Sequence, residues 1–222
     1  MPELVEFLLL RYQRLRDRGL LRMVEGSLAG ILRGLEDRVE GGFFRYSVTR
    51  DWSIPHYEKM LDTNAGLLRV LALAHEVTGT AVYREAVERT VQYLLATLAA
   101  KGGGLYGSQD ANGEDLYYGR PLAERKKMPT PAVDKSIYAD LNGLGVRGLA
   151  AAYPPLKSKE LRSLLEKTGT LLIKDFSRKG EVAHARGMWL GLLRDHVNVG
   201  LGLLEAGKAL GETAWEDKAR DI

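Results

Sequence analysis

The sequence predicts an all-α fold, an incomplete α/α toroid-type array of helical hairpins, on three observations. Apolar residues recur at three- and four-residue spacing in most segments between glycine-rich breaks. Period-two alternation is brief and confined to those breaks, so strands are expected only in short β-hairpin-like return loops. The chain also repeats itself. Asp62 to Ala86, DTNAGLLRVLALAHEVTGTAVYREA, aligns with Asp195 to Ala219, DHVNVGLGLLEAGKALGETAWEDKA, and a third copy begins at Asp140-Leu141-Asn142-Gly143-Leu144. All 222 residues are read as one domain, and 45 % hydrophobic residues suffice for a sizeable core.

Helices are expected over about 3–17, 22–39, 55–78, 80–100, 134–153, 157–174, 191–210 and from 213 onward. The first sets Leu4, Leu8 and Tyr12 on one side. Ser53 reads as a cap with Pro55 in the first turn of the third helix, which Gly79 ends. Each repeat is a helix rich in small and aliphatic residues, a tight turn, and a more charged helix such as Tyr83 to Arg89. The first is expected to be buried and the second surface-facing. The third copy turns at Pro154-Pro155. Glycine-led returns separate the hairpins: Gly41-Gly42-Phe43-Phe44, Gly102-Gly103-Gly104-Leu105-Tyr106 and Lys179-Gly180-Glu181-Val182. Buried inner helices, amphipathic outer helices and long returns are what an α/α toroid requires, because each hairpin covers its neighbour's apolar flank. A plain α-solenoid is the competing architecture.

Composition removes several functions. With no cysteine, disulfides, thiolate nucleophiles and cysteine-ligated metals are excluded, which suits a cytoplasmic protein. The four histidines show no HxxxH spacing, so no metal and no cofactor is expected. The N-terminal stretch MPELVEFLLLRYQRLRDRG interleaves a short apolar run with charge, unlike a secretory or spanning segment, so no membrane association is expected. Basic residues are mixed with acidic ones except at Arg11 to Arg22 and Arg125-Lys126-Lys127. Both groups read as solvated helix faces or loops, and no nucleic-acid partner is expected. Few Asn and Gln among many Leu, Arg and Glu point to a heat-adapted source.

Gly41 to Gly66, GGFFRYSVTRDWSIPHYEKMLDTNAG, is the segment richest in aromatics, carboxylates and arginines, and reads as a surface loop running into a helix. Asp37, Gly41-Gly42-Phe43, Arg45-Tyr46-Ser47, Trp52, Pro55 to Leu61, Asp62 and Asn64-Ala65 closely resemble the start of the helical domain of the spermatogenesis-associated protein 20 family. Ser108 to Ala111 with Tyr117-Tyr118 resembles that family's aspartate-rich loop, and Asp134-Lys135 with Asn142-Gly143-Leu144 resembles a later helix start, where Leu141 replaces the usual tryptophan. The resemblance extends over about two-thirds of the chain. It implies a toroid of the six-hairpin glycosidase type, similar to N-acylglucosamine epimerases and unsaturated glucuronyl hydrolases. Family members carry a thioredoxin-like domain ahead of this region; with no cysteine in the chain, no redox role carries over. Four hairpins are legible where that fold has six, so either the sequence is a fragment of a longer protein or a second copy or a partner subunit closes the open flank.

Glycoside chemistry needs one carboxyl group that donates a proton and one that attacks or stabilises at the anomeric centre. Asp51, Glu58, Asp62, Asp110, Asp134, Asp140 and Asp195 lie in loops or near inner-helix starts, where a toroid opens its cleft. Asp62 and Asp110 are selected as acid/base candidates, although aspartates at such positions more often cap helix ends or accept backbone hydrogen bonds. His56, beside Glu58, joins them as a proton carrier, and it would pair with His196 in epimerisation. His75 and His184 read as structural. Arg45, Tyr46, Trp52, Glu58, Tyr106, Asp140 and Asn142 are expected to bind substrate: rings stack on the C–H faces of a sugar, and arginine pairs with an anionic substituent. The expected function is a carbohydrate-binding or carbohydrate-active domain with hydrolase or epimerase chemistry. The alternative is a non-catalytic structural or protein-interaction domain.

Overall fold

The structure, a computed structural model, describes residues 2–111 and 115–222. The long helices come in antiparallel pairs: α1 (Pro2–Leu15) with α2 (Arg18–Gly34), α3 (Leu61–Thr78) with α4 (Ala81–Tyr93). Two short helices, α5 (Asp115–Tyr118) and α6 (Leu122–Arg125), precede the pairs α7 (Ala139–Leu156) with α8 (Lys159–Leu171), and α9 (Leu193–Leu210) with α10 (Thr213–Arg220). Single π-helical turns extend α4 over Leu94–Leu98 and α8 over Leu172–Phe176.

Apolar patterning sorts the helices into two layers. In α2, Val24, Leu28, Ile31 and Leu32 form one buried stripe, the mark of a helix covered on one side. In α3, Leu61, Ala65, Leu67, Leu68, Val70, Leu71 and Ala74 bury most of the circumference, which only an inner position allows. The inner helices pack side by side in the order α1, α3, α7, α9, each backed by its outer partner, and the core lies between the layers. Pairings such as Leu61 with Gly145 and Ala65 with Gly148 advance together along both chains, so neighbouring inner helices run parallel. Small residues set the spacing: a Cβ on Gly143 would stand 2.4 Å from the Asn198 carbonyl carbon, so α7 and α9 meet backbone to backbone. Four charged side chains tie the layer together. Arg69 of α3 pairs with Glu6 of α1 and Glu205 of α9, and Arg147 of α7 reaches the same two carboxylates.

Several expected boundaries move. Pro55 does not open a helix: Pro55–His56 is strand β2, paired antiparallel with β1 (Tyr46–Ser47), and α3 starts at Leu61. Proline lacks the N–H needed inside a ladder but is tolerated at such an edge. Nor does α7 turn at Pro154-Pro155; both lie in its last turn, and Lys157 in left-handed conformation closes it. The strands β3 (Lys59–Met60), β4 (Ser108–Gln109) and β5 (Val133–Asp134) form one small antiparallel sheet joining three separate loops, and β6 (Ser177–Arg178) pairs with β7 (Glu181–Val182).

One device seats every return loop on its inner helix. Asn64, the fourth residue of α3, accepts from Phe43 N–H at 2.7 Å and donates to Phe43 C=O at 3.0 Å and Met60 C=O at 2.8 Å. Asn142, the fourth residue of α7, does the same with Leu105 at 2.7 and 3.0 Å and with Tyr138 C=O at 2.9 Å. At the fourth residue of α9, His196 accepts from Val182 N–H at 3.3 Å and donates Nδ1–H to Leu192 C=O at 2.9 Å. An amide side chain offers two donors and an acceptor, whereas a neutral imidazole has one of each, so the third clamp lacks one bond. The clamps also correct the repeat alignment. Asp62 corresponds to Asp140 and to Arg194, not to Asp195, because the clamp residue and not the aspartate is the shared element.

Replacing Asn142 by alanine strands the buried N–H and C=O of Leu105. It is expected to lower unfolding free energy by about 3–5 kcal/mol in denaturant titration; a loss below about 1 kcal/mol would show that the clamp does not hold the loop.

Candidate functional site

The heads of the parallel inner helices and the returns that cross them form one end of the layer, and most sequence-selected residues lie there. On the β1–β2 hairpin, the Arg45 guanidinium donates to the Glu58 carboxylate at 2.7 Å. His56 Nε2 stands 3.7 Å from the same carboxylate, and the Tyr46 ring stacks on the His56 ring at 5.0 Å with 16° between planes. Lys59 pairs with Gln109 across β3 and β4, so continuing that register one residue outward sets Glu58 opposite Asp110. Arg45, Tyr46, His56, Glu58 and Asp110 therefore share one patch.

Other selected residues are taken up locally. Asp62 accepts from Thr63 N–H at 2.6 Å and from its hydroxyl, in the first turn of α3. Asp110 is exposed and accepts from Ala111 N–H at 2.7 Å. Among the described residues no hydrogen bond or ion pair joins Asp62, Asp110 and His56 to one another. Asn142, expected on substrate, is fully buried and spent on its clamp. Trp52 is likewise turned to structure: its indole lies against Gly30 and its backbone against Gly34 of α2, at a left-handed φ of 67°. A tryptophan tolerates that conformation only when its surroundings hold it there. Tyr106 is half-buried against the core.

A second charged group shows why the most recognisable motif is so rich in polar residues. Lys59, fully buried, donates to Asp37 at 2.7 Å and to Gly41 C=O at 2.8 Å, and its ammonium sits 4.5 Å from the Tyr93 ring centroid and 5.2 Å from that of Tyr118. Arg125 reaches the same Asp37 oxygen at 2.7 Å and Glu40 at 2.9 Å, while Tyr117 donates to Glu40 at 2.9 Å. Arg125 was expected in a solvated basic run; it is buried, because two carboxylates of the first return loop draw it in. Burial pushes the Lys59 pKa down, against the opposing pull of Asp37. For Asp37, burial raises the pKa, but Lys59 and Arg125 together outweigh it and hold the carboxyl below its ordinary value. Burial and the Glu40 bond push the Tyr117 phenol up to about 12.

The arrangement that sequence reasoning missed lies at the heads of α7 and α9. His184, on the return after β7, places Nδ1 at 3.1 and 3.3 Å from the two oxygens of Asp195, whose side chain is 1 % exposed. Its ring tilts onto Tyr138 with centroids 5.2 Å apart. The return is fastened to α7 by Ala139 N–H donating to His184 C=O at 2.9 Å. Asp140 completes the group: Arg194 holds Oδ2 at 2.8 Å, while Oδ1 is buried with no hydrogen-bonding partner among the described residues. Both aspartates sit in the first turn of a helix, where the macrodipole favours negative charge. His184 was read as structural because nothing in its own neighbourhood of sequence marks it; only the loop's return brings it to Asp195.

No family model matches the chain. Over 113 residues, 46 % of its length, it is 35 % identical to spermatogenesis-associated protein 20 of Mus musculus and homologous to it there, a shorter span than the motifs suggested. The match covers 14 % of that protein, so the chain represents a small part of the curated relative. In three dimensions it superposes on the cellobiose 2-epimerase of Spirochaeta thermophila with a TM-score of 0.72 at 14 % identity, covering 96 % of this chain and 55 % of that one. The unsaturated glucuronyl hydrolase of a Bacillus species gives 0.72 at 13 % identity, with 96 % and 57 % covered. The fold is thus the α/α toroid of six-hairpin glycosidase-like enzymes, of which this chain spans a little over half.

Because Asp37 is held ionised by the fold, its stabilisation is present above the ordinary aspartate value near 3.8 and is lost as pH falls through its lower folded value. Asp37→Asn is expected to cost about 3–5 kcal/mol at neutral pH, by leaving Lys59 and Arg125 underpaired. It should also flatten the fall in melting temperature below pH ~4; an unchanged acid slope would show that Asp37 is not the linked group.

Proposed function

We propose that this domain binds a carbohydrate at the heads of its inner helices. The observation that carries the proposal is the His184–Asp195–Asp140 group: a histidine held by a buried carboxylate, beside a second carboxylate with an unpartnered oxygen, at the exposed end of a rigid helical layer. Scaffolds of this kind present binding groups on the loops that cross them. Arg194 and Tyr138 border that group, and Arg45, Tyr46, His56, Glu58 and Asp110 form a second polar patch on the returns at the same end of the layer. Arginine suits a sugar carboxylate or phosphate, and tyrosine presents a flat face to C–H groups with a hydroxyl at its tip. That epimerases and hydrolases of sugars adopt this fold supports the class of ligand. Hydrolase or epimerase chemistry, with Asp62 and Asp110 as acid and base, has weaker support, since each already accepts a local hydrogen bond.

A second reading, a structural or protein-interaction domain in which a second copy or a partner subunit closes the array, is favoured by the two edges of the inner layer. Leu4, Phe7 and Leu10 on α1 and Leu193, Val197 and Leu201 on α9 are exposed, and exposed apolar helix faces promote association.

Monosaccharides, uronic acids and sugar phosphates are expected to include at least one that raises the melting temperature of the wild-type chain, because a ligand of the folded state stabilises it by mass action. His184→Gln should reduce that shift. A panel with no stabilising sugar, together with an oligomer in light scattering, would replace the carbohydrate reading with the interaction one.

A further inference from the structure

We infer that Asp140, His184 and Asp195 form a binding site for a divalent first-row transition ion, with one imidazole nitrogen and two carboxylate oxygens as protein ligands. One oxygen from each aspartate and a ring nitrogen of the histidine all lie within 4.8 Å of one another. Bond lengths of about 2.0–2.2 Å put two ligands of one ion about 2.9–3.5 Å apart. The 3.1 and 3.3 Å between His184 Nδ1 and the Asp195 oxygens already fall in that range, so only Asp140 has to close in.

The independent observation is Asp140 Oδ1. The Asp140 side chain is 7 % exposed, yet this oxygen has no donor among the described residues. A buried acceptor without a partner is costly, and two buried carboxylates in one group add mutual repulsion. A cation relieves both. Arg194 does not fill that role: it takes Oδ2, and its side chain is 63 % exposed. An arginine on the outer oxygen instead orients the carboxylate, as outer partners of metal ligands commonly do.

The donor set selects the ion. Imidazole with carboxylate suits manganese, iron, cobalt and zinc, whereas magnesium and calcium prefer oxygen alone. Three protein ligands leave positions open, and the hydroxyls of a sugar or a water would occupy them. In that state His184 is a ligand and not a proton carrier, which deepens the carbohydrate reading. Binding of the ion itself requires no sugar. The sequence offered no sign of the site because the ligands come from two helix heads and a loop, without the local spacing of a metal motif.

The test uses the full chain stripped with EDTA and titrated calorimetrically with Mn²⁺, Co²⁺ and Zn²⁺, with Mg²⁺ for comparison and no sugar present. One equivalent per chain is expected. Affinity should fall by at least about 10–100-fold in Asp140→Asn and in His184→Gln, and His75→Gln, which lies in the last turn of α3, should bind as wild type. The visible spectrum of the Co²⁺ form should change in His184→Gln, a readout that a merely structural histidine would not move. If Asp140→Asn fails to fold, the partly exposed His184 carries the test alone. No saturable equivalent in folded wild type, or equal binding in wild type and His184→Gln, overturns the site. Repeating the sugar screen with and without EDTA separates the two proposals: a sugar shift that survives EDTA leaves carbohydrate binding standing without the metal.

Discussion

The clamp at the fourth residue of α3, α7 and α9, the inner helices that follow a return loop, is the constraint from which the rest of the layer follows. A return loop between hairpins brings unpaired backbone groups over the buried end of a helix, where each must find a partner. Asn64 and Asn142 supply a donor and an acceptor to one loop residue and a further donor to the residue that opens the helix. Seating the loop this way fixes the head of the helix and the loop's exit direction together. His196 performs the task with one bond fewer. Its Nδ1–H faces a backbone carbonyl and its Nε2 accepts from a backbone N–H, so both nitrogens are engaged, and a proton-shuttling role for it has no geometric basis.

The same logic divides the most conspicuous segment of the chain in two. Of the residues between Gly41 and Gly66, one set faces inward. Gly41 and Gly42 adopt left-handed φ of 81° and 76° against α4, Phe43 is gripped by Asn64, and Lys59 is drawn into the Asp37 and Arg125 ion group beneath a ring of aromatics. Breaking one member of such a group leaves the others charged and buried, which is why polar residues so deep in a protein are not interchangeable. The other set, Arg45, Tyr46, His56 and Glu58, faces outward as a connected patch. A strand alternates its faces, so a structural lysine and an outward-facing glutamate are neighbours in sequence and opposed in role.

Much of this was legible before the structure. Helical periodicity, glycine-led returns and internal repeats identified the hairpins, and small and aliphatic residues in the first helix of each of the three repeats identified the inner layer. What was not legible is instructive. Pro55 and Ser53 carried a helix-start signal but were used in a hairpin, because pairing with Tyr46-Ser47 competes successfully with a short helical turn. Arg125 read as part of a solvated basic run because its counter-charges, Asp37 and Glu40, lie more than eighty residues earlier. Trp52 read as a sugar platform because nothing in its own segment reveals that Gly30 and Gly34 offer it a slot on α2.

The sequence by itself determined the hairpin array, its inner and outer layers and the places where loops return, because local propensity and apolar spacing act over a few residues. It also determined which chemical groups stand near the inner-helix heads. Tertiary structure alone decided which of those groups meet. Asn142 became a clamp and Asp195 became the partner of His184 because return loops close over distances that no local pattern encodes, and burial then demanded a partner for every polar atom they carried inward. Among the described residues Asp140 Oδ1 is one of three buried side-chain atoms, with the Tyr93 hydroxyl and Thr168 Oγ1, that this demand left without a partner, and so a part of the site that could be recognised only after the chain had folded.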